Sequence, residues 1–370
     1  ADDSTGGLWV RCPSPGEWDR LEGVIEHYRL NGMVCCGVVA GRDGHVALSL
    51  LPTVRHEWVP ENDSTSLAAR LNLDTQGNPF ELEREILIAL LASPLRVEFP
   101  SCDELLSAIH MRRNIVAAGR RTALDFHPRE AERPQDCWRY DDDRGYVVRP
   151  GHSMIEALRK ATQPDTGGQV YAFSCYRATE YVILLAMAEE LLSCNPELFG
   201  RLQRQCERHM IRSGQFHEVF LREYGSQESP MPERYYVPGD RVWFRNPDER
   251  SSDVLGYEGS WVLYLGGGLF TNFWKRDQPY TLDSKCLEIY HWRNGVCHAA
   301  DGELAMDEAV VAQRVAATLQ EGDELSRILG EMMQPRAPSG CYGQGGCIDT
   351  TREGPRWVCP GTSDLHLPPA

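Results

Sequence analysis

The feature that most constrains the fold is a cysteine placed between a glycine-containing turn and a long apolar helical pattern. Residues 167–175 read GGQVYAFSC, and apolar side chains then recur at helical spacing as far as Leu192. A cysteine that begins a helix meets unpaired backbone N–H groups and the positive end of the helix dipole. Both favour the thiolate, which is the nucleophilic form. The pattern therefore predicts a rigidly held nucleophile at Cys175, and the alternative is a buried structural cysteine.

Helical patterns precede Cys175 and strand-like patterns follow it, which predicts an α+β fold. We predict helices at residues 17–30, 80–91, 101–118, 152–160 and 306–329, a hairpin at 33–39 and 45–51, and strands at 241–244, 260–265, 269–274 and 286–292. Papain-like cysteine enzymes have this order, with the thiol helix packed on an antiparallel sheet.

The chain divides into three predicted parts. Residues 1–94 form a small N-terminal α+β module that opens with a flexible lead over residues 1–12, and residues 95–330 form the core. Residues 331–370 are a tail rich in Pro, Gly and Cys that lacks periodicity.

Composition argues against two classes of partner. The formal net charge of the 370 residues is −16, whereas a nucleic-acid surface needs a basic face. The longest wholly apolar run, residues 181–188, is far too short to span a bilayer. We therefore expect neither a nucleic acid nor a membrane as a partner, and the oligomeric state stays open.

The cysteines bear on compartment and metal binding. There are 13, an odd number at irregular spacing, which favours reduced thiols. With no visible signal peptide this favours the cytoplasm, and a secreted effector with a few disulfides, such as Cys341–Cys347, stays the alternative. A zinc site at Cys341, Cys347, Cys359 and His366 is not expected, because its ligands lack the usual close pairing.

Three separated stretches carry a family resemblance. Residues 111–118 read MRRNIVAA, residues 170–175 read VYAFSC, and residues 238–247 read PGDRVWFRNP, followed by YEG at 257–259. Together they resemble the bacterial spore-coat transglutaminases, a protein-glutamine gamma-glutamyltransferase family with an NlpC/P60-like, papain-related core. The resemblance covers roughly residues 95–320.

The resemblance implies cysteine-dependent acyl transfer. In that family the cysteine attacks the carboxamide of a protein glutamine and releases ammonia, and a lysine amine then takes the acyl group from the thioester. Water in place of the amine would give deamidation or amide hydrolysis. Cys175 stands at the nucleophile position, and this chemistry needs no cofactor and no metal.

Other positions depart from the family pattern. Ser174 stands where the family has a glutamate, Ser260 where it has the glutamate base, and Asn272 where it has a histidine. Neither Ser260 nor Asn272 titrates near neutrality, so neither can act as a general base. Asn272 could orient a partner or hold an oxyanion.

Two interpretations follow from these departures. The base has moved, in which case the candidates are Glu258, two positions before Ser260, and the histidines His291 and His298 on or after a predicted later strand. Otherwise the chain is an interaction protein on a degenerate fold. The predicted substrate-binding residues are Ser174, Tyr257, Ser260 and Trp261.

Overall fold

One sheet, called the central sheet below, is antiparallel, as the sequence predicts. It has six strands in the order β11-β10-β9-β8-β14-β7, and their ranges are given at the end of this paragraph. The computed structural model describes residues 6–42, 44–125, 132–209, 213–338, 340 and 342–368. A second sheet, in the order β2-β3-β1-β4, is built from the first hundred residues, and two short hairpins pair β5 with β6 and β12 with β13. The strands are β1 (Leu8–Arg11), β2 (Val34–Val38), β3 (His45–Leu50), β4 (Val97–Phe99), β5 (Trp138–Asp141), β6 (Gly145–Val148), β7 (Leu221–Tyr224), β8 (Arg241–Arg245), β9 (Gly259–Gly266), β10 (Leu269–Phe270), β11 (Tyr280–Thr281), β12 (Val296–His298), β13 (Leu304–Met306) and β14 (Arg352–Pro355).

The helices surround the central sheet. They are α1 (Pro15–His27), α2 (Pro52–Trp58), α3 (Leu67–Leu71), α4 (Pro79–Leu91), α5 (Cys102–Arg121), α6 (Met154–Thr162), α7 (Pro164–Gly167), α8 (Cys175–Cys194), α9 (Pro196–Arg208), α10 (Ser213–Phe220), α11 (Glu249–Ser252), α12 (Leu282–Gly295), α13 (Glu308–Thr318) and α14 (Gly322–Met332). Within the described ranges, no helix combines the length and the apolar character that a membrane span requires. The α+β class and the predicted hairpin β2–β3 are confirmed.

Helix α8 is the thiol helix that the sequence predicts. Its N-cap is Ser174, whose hydroxyl accepts the backbone N–H of Arg177 at 3.2 Å. Residues 178–188 are buried without interruption, because the helix packs on α5 and α6 on one side and on β9 on the other. Cys175, at the first position of this helix, is thereby held at a fixed place beside the sheet.

Two of the resembling stretches meet in a buried ion pair. Arg112 of α5 donates to Asp240 Oδ1 at 2.7 Å, and Asp240 Oδ2 accepts the backbone N–H of Val237 at 2.7 Å. Gly239 between them has φ of 88°, and a Cβ there would lie 2.9 Å from the Cα of Arg112. The turn before β8 is therefore fixed by its aspartate and is connected to α5 by the ion pair.

Three local predictions are wrong. The strand predicted at residues 269–274 ends at Phe270, the last residue of β10. Residues 8–11, predicted as part of a flexible lead, form β1, which pairs with β3 and β4 because its alternate side chains Leu8 and Val10 are buried. Residues 286–292, predicted as a strand, lie in α12, which begins with a capping box between Thr281 and Ser284.

The flanking parts share cores with the central part. One apolar core joins N-terminal residues such as Leu8 and Ile86 to Val116 of α5 and Leu265 of β9. Strand β14, from the segment predicted as a tail, lies between β8 and β7. The boundaries near 94 and 330 stay a prediction.

Glu85 is a buried carboxyl group within this shared core. Its Oε1 accepts the backbone N–H of Gly267 at 2.9 Å, and its Oε2 has no hydrogen-bond partner among the described residues. Burial raises the pKa of Glu85 to about 7, against the hydrogen bond from Gly267 and the charge of Arg120.

We expect Glu85→Gln to stabilise the protein only at higher pH. A carboxyl group whose pKa is raised by folding contributes stability below its unfolded value of 4.5 and loses it as the pH rises through about 7. The variant should match the parent near pH 4.5 in free energy of unfolding and exceed it by about 1–3 kcal/mol at pH 8, at about 1.36 kcal/mol per pKa unit. Urea unfolding at the two pH values measures this. A difference that does not change with pH would contradict the burial argument.

Candidate active site

Cys175 lies against β9, an interior strand of the central sheet. It is half-buried at the first position of α8, and its sulfur accepts hydrogen bonds from the backbone N–H groups of Tyr176 and Trp261. Tyr176 is the next residue of the same helix, whereas Trp261 belongs to β9. The sulfur is thus held where the thiol helix and the sheet meet.

The ionisation of Cys175 is a balance of opposing effects. Burial raises the pKa of the thiol, and this is the largest effect. The backbone N–H of Trp261, the charge of Lys285 and the backbone N–H of Tyr176 lower it, while the charge of Glu258 raises it further. The net shift is upward, so the position at the helix start does not by itself give the thiolate that the sequence predicts.

The sulfur opens into a cavity of ≈ 620 Å³. Of the predicted site residues, Tyr257, Ser260 and Asn272 line this cavity together with Cys175. The side-chain amide of Asn272 is hydrogen-bonded within its own turn. Its Nδ2 donates to the Gln278 carbonyl at 2.9 Å, and its Oδ1 accepts the Lys275 N–H at 3.2 Å. Ser260 and Asn272, two of the three positions that depart from the family pattern, therefore line the same cavity as the thiol.

The three candidate bases, Glu258, His291 and His298, are not among the residues that line the cavity. Glu258 is exposed, although its charge reaches the sulfur. His291 is buried in α12, not on a strand, and its ring nitrogens bond Asn294 at 2.9 Å and Thr318 at 2.8 Å. Burial lowers the pKa of His291, which favours the neutral ring. His298 is exposed on β12, where its Nδ1 lies 3.2 Å from the Gly302 carbonyl. No histidine is among the described residues that line the cavity.

The remaining two predicted residues have other positions. Ser174 caps α8 with its hydroxyl. The ring of Trp261 packs against Tyr176, with ring centroids 5.4 Å apart, and against Trp243 at 5.1 Å. Trp261 is absent from the cavity lining, so its backbone N–H rather than its ring reaches the thiol.

The sequence interpretation missed a buried lysine in this cavity. Lys285 of α12 has a side chain that is 2% exposed, and its Nζ lies 2.6 Å from Glu288 Oε2. The ammonium also lies 4.0 Å from the ring centre of Tyr280 and 5.7 Å from that of Trp292. The signal was the spacing of Lys285 and Glu288, three residues apart, which has meaning only on a helix.

A second carboxylate lines the same cavity. Glu308, at the start of α13, accepts the hydroxyl of Tyr257 at 2.9 Å, as Glu288 accepts that of Tyr280 at 2.8 Å. Burial, followed by the neighbouring carboxylates, raises the pKa of both tyrosines, so both remain donors. The other residues of α13 that line the cavity are mostly apolar: Val311, Ala312, Val315 and Ala316.

The other described cysteines and the possible metal ligands are not among the residues that line this cavity. Every cysteine in the described ranges is a free thiol, and Cys347 lies in the core with its sulfur 3.5 Å from that of Cys286. Cys341, the other half of the disulfide weighed above, is outside the described residues. His217, Glu223 and Glu353 have ligand atoms within 4.8 Å of one another.

Comparisons with known proteins agree with the resemblance. The model of the family described as protein-glutamine gamma-glutamyltransferase matches residues 62–358. Among solved structures, a transglutaminase from Geobacillus stearothermophilus without its C-terminal extension is 21% identical, with a TM-score of 0.39, over 58% of this chain and 98% of that chain. The comparison with curated proteins gave no match. The family match confirms the papain-like fold class.

Proposed function

The chain belongs to the protein-glutamine gamma-glutamyltransferase family, and on that premise we propose that Cys175 is the nucleophile of an acyl transfer from glutamine. The thiolate adds to the side-chain carboxamide. The C–N bond then breaks, and the amide nitrogen takes up the proton that the thiol lost and leaves as ammonia. A primary amine, such as that of a lysine, then attacks the thioester, forms the new amide and returns the thiol. Two easier steps replace one difficult exchange.

One observation carries the proposal: the sulfur of Cys175 faces a large cavity while two backbone N–H groups donate to it. A buried structural cysteine would be surrounded by apolar atoms. Here the lining beside the sulfur includes Ser260, Asn272 and Lys285. An amide carbon that enters this cavity has access to the nucleophile.

Lys285 supplies a positive charge to a cavity in which Asn272 stands where the family has a histidine. Because burial raises the pKa of Cys175, the thiolate needs a compensating cation, and the charge of Lys285 acts in that direction. The lysine is held by Glu288 and by the Tyr280 ring. We assign Lys285 to thiolate stabilisation and Glu288 to the positioning of Lys285.

Glu258 stays the proposed base. Its negative charge raises the pKa of the thiol, so the carboxylate acts electrostatically on the sulfur, and we propose that it receives the proton when substrate is bound. It follows Gly256, whose φ is 88°, in the loop before β9. Tyr257, Ser260 and Asn272 are proposed to line the donor glutamine, and Ser174 and Trp261 to hold the thiol in place.

Glu258→Gln should separate these two effects of the carboxylate. Removal of the negative charge lowers the pKa of Cys175, so iodoacetamide should alkylate Cys175 faster at neutral pH. Loss of the base should nevertheless lower amine incorporation by about 100-fold or more. Peptide mass spectrometry and a labelled-amine assay measure the two. Faster alkylation with unchanged turnover would exclude Glu258 as the base.

The function is tested with a glutamine-bearing protein and a labelled primary amine. We expect incorporation of the amine together with an equal amount of released ammonia. Ammonia release without incorporation would instead assign deamidation, in which water takes the place of the amine. If a folded protein whose Cys175 still alkylates gives neither incorporated amine nor released ammonia, this result favours an interaction protein on this fold.

A further inference from the structure

A buried guanidinium lies outside the cavity lining and contacts the side chains of two residues whose backbone N–H groups act on the thiol. Arg241 of β8 is 1% exposed, and its Cζ lies 4.1 Å from the ring centre of Trp261 and 4.6 Å from that of Tyr176. The two rings also contact each other at right angles. The three side chains therefore form one packed group that joins β8, β9 and α8.

This group is directly connected to the nucleophile. Tyr176 and Trp261 are the two residues whose backbone N–H groups donate to the Cys175 sulfur. One N–H comes from the thiol helix and the other from the sheet, so a shift between α8 and β9 would break one of the two hydrogen bonds. The guanidinium between the rings resists that shift.

An ion pair to the last strand balances the charge of Arg241. Its Nη1 lies 3.4 Å from Glu353 Oε2 of β14, and His217 Nδ1 lies 2.6 Å from the other oxygen, Oε1. The hydrogen bond to Glu353 raises the pKa of His217, which favours the charged ring. The guanidinium nitrogens have no hydrogen-bond acceptor within the described ranges. Aromatic rings and this single ion pair therefore set the orientation of Arg241.

A metal site is a weaker interpretation of the same region. His217, Glu223 and Glu353 could offer three ligand atoms. The guanidinium of Arg241, however, already places a positive charge next to Glu353. A divalent cation would compete with it at close range.

We propose that Arg241 is a positioning residue that fixes the two N–H donors of Cys175, with Glu353 and His217 as its anchor. The proposal rests on the proposed function in one respect, that Cys175 is the reactive thiol. It extends the site beyond the cavity and gives β14, from the chain's last segment, a part in the chemistry.

Arg241→Lys tests the proposal through the reactivity of the thiol. Lysine keeps the charge but loses the planar guanidinium that contacts both rings. We expect the apparent pKa of Cys175, obtained from the pH dependence of its alkylation by iodoacetamide, to rise, with alkylation at pH 7 slower by about 10-fold. Mass spectrometry of the peptide that contains Cys175 gives the rate for this thiol alone.

Arg352→Lys is the matched control. Arg352 is also 1% exposed and lies 4.2 Å from the ring centre of Tyr236, which does not contact Cys175. This variant should leave the alkylation profile unchanged even if it lowers the melting temperature. An equal slowing in both variants, or none in Arg241→Lys, would overturn the proposal.

His217→Ala tests the anchor if Arg241→Lys fails to fold. The His217 side chain is 38% exposed, so its removal spares the core. We expect a smaller slowing of alkylation, about 3-fold, because Glu353 is then free to draw the guanidinium from the rings. An unchanged profile would overturn the anchor. The assay needs no transferase activity, so a parent that alkylates but does not incorporate amine refutes the proposed function and not this inference.

Discussion

Cys175→Ala is expected to abolish amine incorporation, with a loss of at least about 1,000-fold, because the acyl group then has no atom to bond. Cys175→Ser should lose nearly as much, since a serine hydroxyl does not ionise near neutrality. Neither change should unfold the chain, because the N-cap of α8 is the hydroxyl of Ser174 and the body of the helix stays buried. A labelled-amine assay and a thermal melt measure the two properties.

The matched control for this prediction is Cys35→Ala. Cys35 is an exposed free thiol on β2, in the N-terminal sheet, so its loss removes a thiol without touching the cavity. We expect full activity. Activity that survives in Cys175→Ala, or is lost equally in Cys35→Ala, would contradict the assignment of the nucleophile.

Lys285→Met is the second change with a large expected effect. Its side chain is buried in the same cavity as the thiol, and its charge lowers the pKa of Cys175. Without it the thiol should titrate higher, with alkylation at pH 7 slower by about 10-fold and amine incorporation lower by about 10- to 100-fold. The pH dependence of alkylation measures the first effect, and the labelled-amine assay the second.

Two further variants separate charge from folding. Lys275→Met removes an exposed lysine that lines the cavity, and solvent screening should leave the alkylation profile of Cys175 as in the parent. The double variant Lys285→Met with Glu288→Gln removes both members of the ion pair, so no unpaired charge stays behind. If Lys285→Met alkylates Cys175 as fast as the parent does, Lys285 has no role in thiolate stabilisation, and the double variant shows whether a loss of folding comes from the unpaired Glu288.

The sequence predicts the thiol helix and much of the sheet because their signals are local. Ser174 and the apolar run after Cys175 mark a capped, buried helix, and the aromatic and β-branched residues of β8 and β9 mark strands. The ion pair between the motif residues Arg112 and Asp240 joins two of the resembling stretches, and the sequence did not predict it.

The missed parts of the site depend on signals that local patterns do not contain. Residues 286–292 hold leucine, isoleucine, tyrosine and tryptophan, which favour a strand, and only the cap at Thr281 and Ser284 marks a helix. The strand prediction separated Lys285 from Glu288, so the ion pair in the cavity was missed. Arg241 and Glu353 are more than a hundred residues apart, and the pairing of β8 with β14 brings them together.

The most direct test of the central claim is to trap the acyl-enzyme. The protein is mixed with a glutamine-bearing peptide in the absence of an acceptor amine, and the reaction is quenched in acid and digested. The mass of the peptide that contains Cys175 is then measured by mass spectrometry. The account predicts that this peptide gains the mass of the glutamine peptide less that of ammonia, and that hydroxylamine removes the addition. An unmodified Cys175 under conditions in which the parent turns over, or the adduct on another cysteine, would contradict it.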